Sequence, residues 1–221
     1  MADIEHVCHS EGFVALRERL LELAALRPHE TVLDLGAGTG LLSLAAARQA
    51  GRVYALDVSG AMCRHLARKF VALDLRNAHV VHSSAARVPL ASDSVDAVVS
   101  NYCFHHLRDD DKAKALKEAL RVLRPGGRLV FADMMFRVGI AGRRNRAVIF
   151  RFILSMLGHG PAGVVRLLKN AMRVLLGRGE RPATVSWWHG ALLDAGYVDV
   201  FVQELDHEGG VAVARKRSPH A

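Results

Sequence analysis

The chain is 221 residues long, enough to bury a sizeable core, and its 51% hydrophobic and 24% charged residues are ordinary for a globular protein. Its longest apolar run, 147–157, is broken by Arg151 and falls far short of the roughly 20 residues of a membrane span. The net charge of +8 is concentrated in one place: residues 137–181 hold ten lysines and arginines against a single acid, Glu180, so the rest of the chain is close to neutral.

Cys8, Cys63 and Cys103 are odd in number and scattered, with no C-x-x-C pair, which argues against a disulfide framework or a zinc cage. His6, Cys8 and His9 crowd near the start, where a mobile terminus accounts for them better than a metal site. The opening MADIEHVCHSEG is polar and acidic, unlike a secretory signal. A reduced, cytoplasmic setting is the expectation.

In chain order, residues 13–26 (FVALRERLLELAAL) carry helical periodicity and stop before Pro28. TVLDLG predicts a buried strand and LLSLAAARQA a helix that ends at Gly51. RVYALD is a strand, GAMCRHLARKFVALDL a helix and AHVVHS a third strand. SVDAVVSN, DDKAKALKEALRVL and RLVFADMM continue as strand, helix and strand, with Arg124-Pro125-Gly126-Gly127 as the turn before the last. The rhythm breaks at Phe136. It resumes with SWWHGALLDAG as a helix, then YVDVFVQEL and GVAVARKR, separated only by DHEGG. This alternation predicts an α/β fold in one domain, 1–221: seven strands, mostly parallel, the last antiparallel, with helices on both faces. Residues 137–185 read as a helical insertion after the fifth strand.

The sharpest local signal is VLDLGAGTG, in which a strand runs directly into Gly36-Ala37-Gly38-Thr39-Gly40 and a helix follows. Glycines there let a backbone pass close under a ligand, and the helix start offers free N–H groups. A dinucleotide fingerprint would need a small residue where Leu41 stands. Asp57 ends the next strand about 20 residues on, where α/β nucleotide sites place an acid on the ribose; capping the following helix is its other reading, although Ser59 can do that. NYCFHHL closes the fourth strand at the ligand-binding edge of such sheets. His105 and His106 are adjacent, so they cannot both face a pocket. An imidazole titrates near neutrality and suits proton abstraction from an acceptor; packing or capping the next helix is the other reading. Asp133 reads as a local cap or surface carboxylate, and Cys103 as a small buried residue.

Together VLDLGAGTG, DVSGAM, RVPLASDSVDAVVSNYCFHHL and LRPGGRLVFAD resemble the class I S-adenosylmethionine-dependent methyltransferases, and within them the small-molecule and lipid-quinone branch. The resemblance covers about residues 30–135, and GALLDAGYVDVFV weakly. It implies a Rossmann-like sheet that binds S-adenosylmethionine and releases S-adenosylhomocysteine. Gly36, Gly38 and Gly40 would line the methionine part, and Asp34 would balance its amino group. Asp57 would hold the ribose, Val58 and Met62 would pack on the adenine, and Asn101 would bring backbone near the sulfonium. The family usually carries an acid for the adenine amine where this chain has Ser84, which leaves a hydroxyl and the Ala85 backbone for that contact. His106 is the preferred base, since the family pattern holds its second histidine toward the substrate; His105 is the second candidate. No metal is implied.

The chain lacks the N/D-P-P-Y/F run of nucleic-acid amino-methyltransferases, because Asn101 precedes Tyr-Cys-Phe, and Cys103 does not follow a proline as in cytosine-carbon enzymes. In the insertion, NRAVIFRFILSML and VVRLLKNAMRVLL read as two helices, the second with an oily face and a basic stripe. It is either a lid over the substrate pocket or a peripheral contact of 137–181 with the inner, anionic face of a membrane. The expected acceptor is a hydrophobic small molecule or a quinone- or lipid-like ring. The alternatives are a nucleic-acid-associated methyltransferase, disfavoured by the absence of an aromatic-interleaved basic face, and a cofactor-binding protein without catalysis.

Overall fold

The computed structural model describes residues 11–136, 181–205 and 209–219. The apolar runs pair into one sheet made of β1 (Thr31–Leu35), β2 (Arg52–Asp57), β3 (Ala78–His82), β4 (Val95–Asn101), β5 (Leu123–Met134), β6 (Tyr197–Glu204) and β7 (Gly209–Lys216). Their order is β3-β2-β1-β4-β5-β7-β6. β1 to β5 pair in parallel, and β7 inserts antiparallel between β5 and β6. The predicted sheet, with its antiparallel last strand, is the observed one.

Successive side chains of a strand point to opposite faces, so continuous apolar strands must be covered on both. On one face Val32, Val53, Val99 and Val130 pack under α1 (Glu11–Ala24), α2 (Leu41–Ala47) and α3 (Gly60–Ala72). On the other, Leu33, Leu35, Leu56, Val98 and Phe131 pack under α4 (Asp109–Val122) and α5 (Val185–Ala195). Trp188 of α5 is fully buried there, edge-on to Phe104 and Phe131.

One boundary differs from expectation. The strand after α4 begins at Leu123, not at Arg128, because Leu123 pairs with Val95 before the register jumps to Arg128 opposite Ala97. Pro125, Gly126 and Gly127 therefore bulge out of the ladder. Gly126 has φ +77°, and a Cβ on Gly127 would lie 2.8 Å from the Arg124 carbonyl oxygen, so both glycines are required.

α1 is held at its C-terminal end by Arg128 of β5. The guanidinium donates to the carbonyls of Ala24 and Ala25 and pairs with the buried Glu30 carboxylate at 2.7 and 2.9 Å. With Leu16, Leu20, Leu21 and Ala24 buried below it, this clamp fixes the helix over the sheet.

The strand order reverses at β1, whose neighbours β2 and β4 run off to opposite sides. That reversal opens a crevice at the carboxyl ends of the strands, the place where such sheets bind ligands. Among the described residues no helix is long and apolar enough to cross a membrane. The basic insertion, with both of its expected helices, lies outside the described residues apart from residues 181–185.

Candidate functional site

A cavity of about 380 Å³ fills the crevice, a size usual for small-molecule sites. Asp34, Gly36, Gly38, Asp57, Val58, Met62, Ser84, Ala85, Asn101 and His106 all line it. Gly40 and His105, also expected at the site, do not.

The glycine loop is shaped by two hydrogen bonds to the neighbouring strand: the N–H groups of Gly36 and Ala37 both donate to the Leu56 carbonyl. Gly36, Gly38 and Gly40 have φ of +73°, +53° and +81°. They serve different ends. A Cβ on Gly36 would sit 2.2 Å from Cys103 Sγ, so that glycine lets two segments touch. A Cβ on Gly38 would meet only the Gly36 carbonyl oxygen, at 3.9 Å, so its backbone opens directly onto the cavity. A Cβ on Gly40 would strike Leu66 Cδ2 at 2.3 Å; its work is to let α3 pack against the start of α2.

Asp57 accepts from the N–H of Gly38 at 2.8 Å through one carboxylate oxygen and from the N–H of Ser59 at 2.8 Å through the other. It thus ties the loop to the end of β2 while keeping lone pairs for a ligand. The helix cap of α3 is Ser59, whose hydroxyl accepts from Met62 N. Asp34 is buried, 1% exposed, with the Ser43 hydroxyl donating to it. Burial raises its carboxyl to about 7; the Ser43 hydrogen bond opposes the rise and the nearby Asp57 charge adds to it. Asn101 Oδ1 is buried on the cavity wall with no hydrogen-bond partner among the described residues, which marks an acceptor waiting for a donor. The Ser84 hydroxyl accepts from Ala86 N at 3.2 Å and lines the cavity beside Ala85.

The two histidines separate cleanly. His105 is buried, and its Nδ1 lies 2.7 Å from Asp133 Oδ1. His106 is exposed on the cavity side, its ring centroid 3.9 Å from that of His105. Asp133 corrects one expectation: it is a cap, as one reading had it, but it is wholly buried and not on the surface. It accepts from the N–H groups of Phe104, His105 and Met134, which satisfies the short turn Phe104–His106 from beneath. That turn is also tied to the chain entering α5, since Arg181 N donates to the His105 carbonyl and Lys112 Nζ donates to the Arg181 carbonyl.

Cys103 also differs from expectation, being half-buried on the cavity wall. Burial, reinforced by the charges of Asp133, Asp34 and Asp57, pushes its thiol up to about 12, so it is no thiolate nucleophile. Sequence reading missed Arg17, Tyr102 and Leu107, all of which line the cavity. The φ of +53° at Tyr102 belongs to the turn out of β4 and has no signature in the residue type. Among the described residues no cluster of acids, histidines and cysteines could hold a metal ion.

Residues 32–127 match the family described as a methyltransferase domain. The chain is 32% identical over 158 residues to an uncharacterised methyltransferase of Oceanobacillus iheyensis, covering 70% of this chain and 72% of that one. It is 33% identical over 136 residues to a ubiquinone/menaquinone biosynthesis C-methyltransferase of Vibrio vulnificus, covering 59% and 52%. The chain spans about half, 54%, of the length of several other curated relatives that it matches. A solved S-adenosylmethionine-dependent methyltransferase from Aquifex aeolicus shares the fold at a TM-score of 0.63 and 23% identity, over 90% of this chain and 89% of that one. With its glycine loop, its Asp57 and a core that matches these relatives, the chain belongs to the class I S-adenosylmethionine-dependent methyltransferases.

Proposed function

We propose that the chain transfers the methyl group of S-adenosylmethionine to an oxygen, carbon or nitrogen of a hydrophobic small molecule of the quinone or lipid-like class. The observation that carries this reading is one cavity joining the glycine loop, two buried carboxylates and the orphaned Asn101 carbonyl to His106. The name of the Vibrio vulnificus relative supports the acceptor class, as do the apolar walls supplied by Leu41, Leu42 and Leu107.

When bound, the cofactor supplies a sulfonium methyl already activated toward a nucleophile. The residues then have to bind, orient and exclude water. Gly36 and Gly38 would line the methionine chain, Asp34 would balance its ammonium, and Asp57 would accept from the ribose hydroxyls. Val58 and Met62 would pack on the adenine, with Ser84 and the Ala85 backbone at its polar edge. Asn101 would lie near the reacting centre, and His106 would take the acceptor's proton.

Titration calorimetry with S-adenosylmethionine and S-adenosylhomocysteine tests the reading, and binding of neither overturns it. The same titration has an expected pH dependence. The ligand's ammonium pairs with the ionised form of Asp34, whose carboxyl titrates at about 7 in the free protein. Below that pH binding must first remove a proton, so affinity falls by about tenfold per pH unit. Above about pH 8 the ligand's own α-amino group loses its charge, and affinity declines again. Asp34→Asn removes the acid limb; an acid limb that survives in this variant would assign it to another group.

Residues 137–181 carry ten basic side chains against one acid among many apolar ones, the composition of a segment that meets an anionic lipid surface. The protein is expected to float with phosphatidylglycerol-containing vesicles at low salt and not with phosphatidylcholine alone. No flotation, together with a nucleic-acid gel shift at the same salt, would favour the nucleic-acid reading instead.

A further inference from the structure

The turn Phe104–His106 puts one imidazole at the cavity, so whatever fixes the turn fixes the imidazole. Asp133 satisfies its N–H groups from beneath, but the His105 carbonyl needs a donor of its own. That donor comes from outside the turn: Arg181 N, in the chain leading into α5, donates to it at 2.7 Å. Arg181 is held in its turn by Lys112, whose Nζ donates to the Arg181 carbonyl at 2.6 Å.

Lys112 is an unexpected residue for its place. It is 0% exposed, although lysines are almost never fully buried unless paired. It stands in the first turn of α4, where the helix dipole disfavours a cation. Besides Arg181, its Nζ donates to Asp109 Oδ1 at 2.9 Å and lies 5.3 Å from the centroid of the Trp187 ring. Replacing a buried ion pair by apolar groups of similar volume is often neutral or stabilising, so stability does not account for the ammonium. What an apolar side chain could not do there is hold the Arg181 carbonyl.

The same side chain reaches the turn by a second route. Trp187, beside the ammonium, meets Trp188 edge-on at 4.9 Å, and Trp188 meets Phe104, the first residue of the turn, at 5.3 Å. Trp188 and Phe104 are both buried, so these rings pass on a displacement rather than absorb it. One route grips the backbone of the turn and the other its leading ring. Lys112 itself is not among the residues that line the cofactor cavity.

We propose that Lys112 is a positioning residue for His106: its ammonium fixes the Arg181 peptide, which holds the His105 carbonyl and so sets where the next imidazole stands in the cavity. This assignment rests on the reading of His106 as the group that takes the acceptor's proton. It ties the entry of α5 to the reacting end of the cavity and leaves the cofactor end untouched.

The test compares wild type with Lys112→Met, which removes the ammonium and keeps the bulk, and with Arg181→Pro, which removes the N–H and keeps the carbonyl. Arg181→Ala, with its N–H intact, is the reference for the second. In Lys112→Met the Arg181 amide is expected to exchange hydrogen at least about tenfold faster and the His106 ring signals to shift in NMR, while S-adenosylhomocysteine affinity stays within about threefold. With 1,4-naphthohydroquinone as the acceptor probe, kcat should fall about tenfold at unchanged KM for S-adenosylmethionine. Added to His106→Ala, the same substitution should cost nothing further. Arg181→Pro should reproduce the change at the His106 ring, and it carries the test alone if Lys112→Met does not fold. Unchanged Arg181 exchange and His106 signals in Lys112→Met overturn the assignment. So does an equal loss of kcat and cofactor affinity, which would make Lys112 a support of the whole fold, and so does an undiminished loss of kcat in the His106→Ala background. His106→Ala with wild-type turnover overturns instead the reading of His106 as the base. Wild-type protein inert toward naphthohydroquinone overturns that acceptor, and the exchange rate and ring signals then decide the assignment.

Discussion

Gly36→Ala is expected to lower affinity for S-adenosylhomocysteine by at least about 100-fold and to destabilise the fold by roughly 2–5 kcal/mol. Two costs add here. Gly36 has φ +73°, a region that costs an L-residue about 1–2 kcal/mol. The new methyl group would also lie 2.2 Å from Cys103 Sγ and 2.6 Å from Cys103 Cβ, and overpacking of this kind costs about 1–3 kcal/mol. Cys103 has little room to yield. The residue before it is pinned by a hydrogen bond from Tyr102 N to the Ala132 carbonyl, and the residue after it by one from Phe104 N to Asp133. The loop cannot retreat either without losing the two hydrogen bonds to the Leu56 carbonyl. Whichever side moves, the cavity wall deforms where the methionine chain would lie. Gly36→Ala combined with Cys103→Gly should recover the steric part and leave the backbone part. Gly38→Ala offers the contrast: its methyl group meets open cavity, so it should weaken binding by occupying ligand space with only the backbone cost to stability. Calorimetry and urea unfolding measure both effects. Binding by Gly36→Ala within threefold of wild type would show that the loop is not the ligand cradle.

How much of this was legible beforehand depended on whether a feature is local in the chain. The glycine loop, Asp57 and the strand rhythm are short-range patterns, and the sheet and most of the cavity wall follow from them. Gly40 shows the limit of a motif: it has the same residue type and the same positive φ as Gly36, but what crowds it is Leu66, which only the packing of α3 reveals. Asp133 was misplaced for the same reason. Three of its four donors come from Phe104 and His105, 29 and 28 residues away in sequence, and a carboxylate with four donors can be buried where an isolated one cannot. Arg17 sits in a helix whose polar face reads as solvent-exposed. Which of its charges reaches the crevice depends on how α1 is rotated on the sheet, and a helical period alone does not set that. The early start of β5 was hidden by Pro-Gly-Gly, which signals a turn and is in fact a bulge within a strand. Adjacency implied that only one of His105 and His106 could face the cavity, the resemblance favoured His106, and the buried contact of His105 with Asp133 supplies the physical reason.

His106→Ala is expected to reduce kcat by about 100-fold, the lower end of what a positioned acid–base group contributes, while S-adenosylhomocysteine affinity changes by less than about threefold. The geometry separates this residue from its neighbour. His106 stands on the cavity side of the turn, whereas His105 faces inward on the buried Asp133. Removing His105 leaves that carboxylate without its side-chain partner at a fully buried site, so His105→Ala should cost about 3–5 kcal/mol of stability. It should affect turnover only as far as the turn carrying His106 is disturbed. The two substitutions thus predict opposite signatures: a stable, cofactor-binding and slow enzyme from the first, and an unstable one from the second. The dependence on pH sharpens the distinction. If His106 accepts the acceptor's proton, the acid limb of kcat belongs to it and disappears in His106→Ala, and an acceptor of higher acidity should restore part of the rate. The acid limb of cofactor affinity, which belongs to Asp34, should persist in the same variant. Turnover by His106→Ala equal to wild type would remove the imidazole from the chemistry and leave positioning beside an activated methyl group as the whole of the catalysis.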